Sequence, residues 1–161
     1  MARIAIVTDS TADLDRETLD ARRITVIPLG VRIGHDHFLD QVDITTNEFL
    51  DRLSMSAPHP ATFSPSTSAF EAAFRRLAAD HDAIIAILLS SKLGGSVRAA
   101  RAAAEAVKDV IPVAVVDSMN ASLGLGFQVL RATDLVNQDL AIDDIVARLK
   151  AERALNHLAF F

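Results

Sequence analysis

The chain alternates short apolar runs with amphipathic stretches, and this alternation predicts both strands and helices. Residues 3–8, 83–89 and 111–116 are apolar runs of strand length, and the middle run, AIIAILL, has no polar position. A continuous apolar run of this length is typical of a strand that is covered on both faces. Because such strands alternate with helical segments, we expect an α/β domain with a largely parallel sheet flanked by helices.

The segments between these runs carry helix signals. Phe70, Phe74 and Leu77 share one face of a helix that Ser66 would cap and that would reach about His81. The sequence predicts further helices over residues 15–23, from 45 or 46 to 53, from the turn at 90–96 to about 108, over 120–137 and over 142–153.

Three segments are less regular. Ile24–Ile33 is predicted to be a strand with a bend or at a sheet edge, because Pro28 and Gly30 interrupt it. Residues 54–65 are rich in Ser and Pro and are predicted to form a loop. His157–Phe161 is expected to start a further strand. This strand is either the last core strand of the domain or the first part of a strand in a longer protein of which the chain is a fragment.

Composition narrows the possible functions. Half of the 161 residues are hydrophobic, which allows one domain with a substantial core, and no apolar run reaches the roughly 18 residues of a membrane span. The first residues lack the features of a signal peptide, so we expect a cytoplasmic protein. A net charge of −5 without a basic patch gives no electrostatic basis for nucleic-acid binding. The absence of Cys excludes disulfides and thiol chemistry.

Ligands of parallel α/β sheets bind beyond the carboxyl ends of the strands. Three polar loops follow predicted strands and are expected to meet at that edge: 9–13, 90–96 and 117–120. The sequence therefore places a candidate binding site at this edge.

The most informative loop is SSKLGGSV at 90–97, between a buried strand and a helix. The free N–H groups of a helix N-terminus favour an anion, and Gly94 and Gly95 allow close backbone approach. Ser91 and Ser96 add hydroxyl groups. The alternative interpretation is that the serines of this loop simply cap the helix.

Two other features have both functional and structural interpretations. Thr62 and Ser64 lie in a Pro-rich loop and could donate to an anion, although the loop could also serve only to start the next helix. Asp9 and Asp117 follow strands and could act in catalysis, but acids there more often tie a loop or cap a helix. Without a His or Glu cluster they make a poor metal site, so we predict no metal, and no motif indicates a cofactor.

Taken together, five segments resemble the DegV family in their order and approximate spacing. They are IVTDSTADL at 6–14, VIPLGVRI at 26–33, DQVDITTNEF at 40–49, SSKLGGS at 90–96 and VVDSMNASLGLG at 115–126. The resemblance implies that residues 1–161 form a DegV-like N-terminal α/β domain, with the family's C-terminal domain absent from this chain.

The resemblance also implies a function. DegV proteins bury a long-chain fatty acid, with the carboxylate at the cleft between domains and the acyl tail in an apolar cavity. Some bacterial members present the bound acid to a separate fatty-acid kinase subunit and perform no chemistry alone, so the chain is predicted not to be an enzyme. The fold is similar to that of dihydroxyacetone-kinase substrate subunits, and a related phosphotransfer or small-substrate enzyme is the alternative. A remnant that no longer binds lipid is a third.

The family pattern identifies candidate ligands of the carboxylate and one departure. Thr62 matches the family's Thr, whereas Ser64 stands where the family has Gln. Gly94 stands where the family has its second clamp residue, a Ser. Ser91, Ser96 or a backbone N–H near Gly95 could compensate for the missing hydroxyl. The predicted carboxylate site comprises Thr62, Ser64, Ser91, Gly94, Gly95 and Ser96.

Overall fold

A computed structural model describes residues 2–55 and 59–156 of the chain. The strands of this part are β1 (Ile4–Asp9), β2 (Thr25–Ile27), β3 (Gly30–Ile33), β4 (Asp36–Leu39), β5 (Ala61–Phe63), β6 (Ala83–Leu88) and β7 (Val113–Asp117). The helices are α1 (Arg16–Ala21), α2 (Thr46–Met55), α3 (Thr67–Leu77), α4 (Ser96–Ala106), α5 (Ser122–Val136) and α6 (Ile142–Glu152). The predicted strand start at 157–161 lies outside the described residues.

The main sheet has the strand order β2-β1-β6-β7, and all its neighbouring strands are parallel. Val7 of β1 lies opposite Thr25 of β2 on one side and Ala86 of β6 on the other. Every residue of β6 is buried. This confirms the predicted α/β fold with a parallel sheet.

Strand β6 divides its side chains between two cores, as the alternation of a strand requires. Ile84, Ala86 and Leu88 belong to a core that includes Phe70 and Phe74 of α3. Two other residues of the strand, Ile85 and Ile87, belong to a second core with residues of α5 and α6 that include Leu125, Val129, Ile145 and Leu149. The sheet is therefore covered on both faces, which explains why β6 has no polar position.

The prediction of one interrupted strand over Ile24–Ile33 is wrong. The segment forms two strands in different sheets, β2 in the main sheet and β3 in a smaller antiparallel sheet with the order β4-β3-β5. Pro28, which has no N–H to donate, separates them, and the N–H of Leu29 donates to Ser10 Oγ at 3.1 Å instead of a strand partner. The Pro that suggested a bend thus marks a change of sheet.

Strand β5 lies within residues 54–65, which were predicted to be a loop. It has three residues, and its pairing with β3 places Thr62 opposite Val31 and Phe63 opposite Gly30. A strand this short has too few positions to show a periodic pattern. Its conformation depends on β3, which precedes it by 28 residues or more.

The predicted helices are confirmed with small changes at their ends. Ser66 caps α3 by accepting the N–H of Ala69 at 3.1 Å, but the helix ends at Leu77, before His81. The Gly-x-Gly at 124 and 126 lies inside α5, where a Cβ on Gly126 would come within 2.5 Å of the Ala12 carbonyl oxygen. Close packing therefore accounts for that glycine. Among the described residues, no helix is long and apolar enough to cross a membrane.

Candidate carboxylate site

The three polar loops predicted to meet at one sheet edge do meet there, because β1, β6 and β7 are parallel. The N–H of Ser118 donates to the Leu88 carbonyl at 3.1 Å, and the N–H of Ser90 donates to the Asn120 carbonyl at 2.9 Å. From the β1 side, Asp9 Oδ2 accepts the N–H of Leu89 at 3.0 Å. The edge is therefore a hydrogen-bonded unit built from three distant parts of the sequence.

Asp9 ties this edge together. Its side chain is fully buried, and its other carboxylate oxygen accepts the hydroxyl of Thr11 at 2.5 Å and the N–H of Thr11 at 3.2 Å. Burial raises the pKa of Asp9, although the hydrogen bonds from Thr11 and Leu89 and the nearby Ser96 hydroxyl oppose the shift. The carboxylate therefore has a structural role in joining β1 to the end of β6.

Asp117 plays a similar part at the end of β7. Its Oδ1 accepts the N–H groups of Met119 at 3.0 Å and Ser91 at 3.2 Å. Partial burial opposes ionisation, but the hydrogen bonds from Ser91 and Met119 outweigh it, with Arg153 adding to the effect, and the pKa of Asp117 lies below its usual value. Among the described residues, no group of three or more His, Cys, Asp or Glu is arranged to hold a metal.

The N-terminus of α4 is not capped by a serine, so the alternative interpretation of the SSKLGGSV loop is wrong. The cap residue is Gly95, which provides no side-chain cap. Ser90 Oγ accepts the N–H of Lys92 at 3.3 Å, and the N–H of Ser91 donates to Asp117 Oδ1 at 3.2 Å. Ser96 Oγ is buried, and within residues 2–55 and 59–156 it has no hydrogen-bond partner of ordinary geometry. Helix α4 therefore starts with donors that no serine of its own loop satisfies.

A residue from the other predicted loop reaches this helix N-terminus. Ser64 Oγ accepts the N–H of Gly95 at 2.7 Å, across 31 positions of sequence. A Cβ placed on Gly94 would lie 3.4 Å from Ser64 Oγ, and a Cβ on Gly95 would lie 3.2 Å from it. The structure thus brings Ser64, Gly94 and Gly95 together, and Ser96 follows them as the first residue of the helix. We call these four residues the Ser64 corner.

The remaining two predicted site residues stand apart from these contacts. Thr62 lies on the edge strand β5 with an exposed side chain, two residues before Ser64. Ser91 is exposed, and its N–H bonds to the end of β7. No hydrogen bond joins either residue to the Ser64 corner in the described part of the chain.

Two cavities adjoin this region. The larger, about 710 Å³, lies between α1, β2 and the segment after β4, and Asp9 and Ser10 form part of its wall. Its apolar lining includes Leu14, Leu19, Ile24, Val26 and Pro28. The smaller, about 570 Å³, is an open pocket between the starts of α3 and α4 and is lined by Ser64, Gly95 and Arg98 among others.

Arg98 lines the smaller pocket, although the motifs do not indicate it. Its Nη2 lies 3.5 Å from the position of a Cβ on Gly95, next to Ser64. A signal was present in the sequence, because residues 83–104 contain Lys92, Arg98 and Arg101 but no acid. That bias becomes informative only when the fold places Arg98 beside Gly95.

Comparison with known proteins identifies the family. The family model described as "Uncharacterised protein, DegV family" matches residues 3–161. The chain belongs to the DegV family. Among curated relatives, a DegV domain-containing protein of Staphylococcus aureus (strain COL) is 38% identical over 158 residues, which cover 98% of this chain and 53% of the relative. The chain thus spans about half the length of such relatives.

A shorter relative, the DegV domain-containing 15.5 kDa protein of Staphylococcus aureus, is 39% identical over 136 residues, covering 84% of this chain and 95% of the relative.

Solved DegV structures share the fold. A DegV family protein of Thermus thermophilus described by its fatty-acid binding is 33% identical, with a TM-score of 0.86 over 94% of this chain and 54% of that one. DegV of Bacillus subtilis, described as a fatty acid binding protein, is 30% identical, with a TM-score of 0.90 over 96% of this chain and 55% of that one. The fold resemblance inferred from the five segments is therefore confirmed.

Proposed function

We propose that this domain binds a long-chain fatty acid and holds its carboxylate at the Ser64 corner. Two DegV structures at 30% identity or more are described as fatty-acid-binding proteins. The observation that carries the proposal is the hydrogen bond between Ser64 Oγ and the N–H of Gly95 at 2.7 Å, because it joins the two loops whose residues were predicted to bind the carboxylate.

The chemistry of the corner suits a carboxylate. Ser64 Oγ accepts the Gly95 N–H, so its own proton remains available for donation to a ligand. The Ser96 hydroxyl, buried beside Asp9 without a hydrogen-bond partner of ordinary geometry in the described residues, is a second candidate donor, and the start of α4 adds a favourable dipole. Such donors offset the desolvation of a carboxylate. We propose Thr62 and Ser91 as outer contacts, reached from the sides of the corner.

The larger cavity is our proposed site for the acyl tail. Asp9 borders this cavity and also lies next to Ser96, so this one buried side chain separates the cavity from the corner. A volume of about 710 Å³ is within the range of ligand pockets. Each buried methylene contributes roughly 0.8 kcal/mol, so tail burial would supply most of the affinity.

We further propose that the bound acid is presented to a separate fatty-acid kinase subunit and that this chain contributes no catalytic group. Asp9 and Asp117, the acids on which an enzymatic alternative would depend, both bond to backbone N–H groups. Release of phosphate from ATP by the purified chain alone would contradict this part and favour the alternative phosphotransfer enzyme.

Native mass spectrometry of the purified protein with oleate tests the binding proposal. We expect one bound oleate and a higher melting temperature. Thr62→Ala should weaken binding, whereas Gly94→Ser should strengthen it by adding a hydroxyl on a Cβ that would lie 3.4 Å from Ser64 Oγ, provided that the Leu89 methyl 2.9 Å from the new Cβ shifts. Ser54→Ala removes an exposed hydroxyl on α2 and is the matched control. An unchanged affinity in both site variants would show that the carboxylate binds elsewhere.

A further inference from the structure

Arg98 stands beside the Ser64 corner on the first turn of α4. A Cβ on Gly95 would lie 3.5 Å from Arg98 Nη2 and 3.2 Å from Ser64 Oγ, so the guanidinium and the hydroxyl flank the same face of Gly95. Both side chains also line the open pocket of about 570 Å³. A ligand group in this pocket would meet a cation and a hydroxyl together.

The cation is available to a ligand. Within residues 2–55 and 59–156, Arg98 makes no ion pair and no side-chain hydrogen bond, and its side chain is exposed. Five arginines in the same part of the chain form ion pairs, among them Arg131 with Glu152 and Arg75 with Glu71, whereas Arg101, on the same helix as Arg98, forms none there. Arg98 therefore carries a charge that no ion pair among the described residues uses.

Its position is also unfavourable for the helix itself. A cation in the first turn of a helix opposes the helix dipole, and the two segments that line the pocket, 64–67 and 95–102, contain no acid that would balance it. A residue that breaks a local rule without structural compensation is a candidate for function. An anionic ligand at the start of α4 would provide the missing compensation.

We propose that Arg98 is a specificity-determining residue that binds the ligand's carboxylate from the open side of the Ser64 corner. This inference rests on the proposed fatty-acid binding. A guanidinium forms two charge-assisted hydrogen bonds with a planar carboxylate, and such bonds are stronger than those from neutral hydroxyls. Arg98 thereby favours an ionised fatty acid over a neutral lipid of the same length.

Calorimetric titration of the full chain with oleate, and separately with oleyl alcohol, tests the inference. We expect Arg98→Gln to weaken oleate binding about 10-fold and to leave oleyl alcohol binding unchanged, since only oleate carries the charge. Arg98→Lys, which keeps the charge but loses the fork, should fall between wild type and Arg98→Gln. The matched control is Arg101→Gln, an exposed cation one turn further along α4. The melting temperature without ligand should not fall in Arg98→Gln.

The outcomes separate this inference from the function on which it rests. If wild type binds oleate but Arg98→Gln weakens it less than threefold beyond Arg101→Gln, the role of Arg98 is wrong while fatty-acid binding stands. An equal loss for oleate and oleyl alcohol would also overturn it, because it would indicate shape rather than charge. A wild-type protein that binds no oleate would overturn the proposed function and this inference together.

Discussion

The two sheets of this domain differ in how they are held. The main parallel sheet is covered on both faces, and the side chains of its strand β6 are almost completely excluded from solvent. The small antiparallel sheet packs on a core of three buried residues, Val31, Ile33 and Ile44. The side chain of Phe63 on this sheet is 43% exposed to solvent. The proposed carboxylate site lies where the two sheets meet.

This difference assigns distinct roles to the two walls of the site. Gly95 belongs to the loop after β6, which the main sheet fixes, whereas Ser64 follows β5 at the edge of the small sheet. Segments with few buried apolar contacts open at a lower free energy than core strands. We therefore expect a ligand that bridges the two walls to stabilise the small sheet more than the main one.

The largest effect is expected from a matched pair of Phe substitutions. Phe74 is fully buried against the main sheet, whereas Phe38 is only partly buried in the small sheet, under the guanidinium of Arg52 at 4.9 Å from its ring centroid. Phe74→Ala should lower the free energy of unfolding by about 3–5 kcal/mol and Phe38→Ala by about 1–2 kcal/mol. Urea unfolding followed by far-ultraviolet circular dichroism measures both. Equal losses would mean that the small sheet is held as firmly as the main one.

The next largest loss of stability is expected from a substitution that acts only on the small sheet. A Cβ on Gly30 would lie 1.8 Å from Phe63 Cε2, because the Phe63 ring covers this glycine from the neighbouring strand. Gly30→Ala should therefore displace the ring and cost about 1–3 kcal/mol.

The double variant Gly30→Ala with Phe63→Ala provides the control, since it removes the ring that the new methyl group meets. We expect it to be more stable than Gly30→Ala alone in the same urea experiment. A double variant in which the two losses simply add would show that the ring does not cause the strain.

The two sheets also differ in how far the sequence predicts them. The apolar run of β6 and the cap at Ser66 are local signals, and both were predicted correctly. Strand β5 and the change of sheet at Pro28 depend on pairing with distant strands, and neither has a local pattern long enough to identify it. Sequence periodicity thus identifies β1, β6 and β7 of the main sheet, but neither the division between β2 and β3 nor strand β5.

The candidate site shows the same division. Its loops could be predicted because each follows a strand or precedes a helix, and the topology brings Ser64 to Gly95. The contact itself could not be predicted, because no pattern links residues 31 positions apart. Ser91 was predicted for its hydroxyl, yet its N–H bonds to Asp117, which only the positions of β6 and β7 determine.

The smallest expected effect comes from Asp117 and Asp9, the two acids that hydrogen-bond to the loop after β6. The folded pKa of Asp117 is lowered, whereas its unfolded value is about 4. The ionised carboxylate therefore contributes stability above about pH 4, and this contribution is lost as the pH falls through the folded pKa. Asp117→Asn should cost about 0.5–1 kcal/mol near pH 7, reduced by solvent screening, and this cost should shrink as the pH falls below about 4.

Asp9 should show the opposite sign, since burial raises its folded pKa. The ionised form is penalised in the folded state, so wild type should lose stability relative to Asp9→Asn as the pH rises from about 4 through the raised pKa. Any cost of reorienting the new amide toward Leu89 and Thr11 is the same at every pH and does not alter this slope. Urea unfolding from pH 3 to 8 measures both slopes. Slopes of the same sign in the two variants would show that burial does not dominate the pKa of Asp9. Asp9 and Asp117 would then both stabilise the loop after β6 as ionised carboxylates.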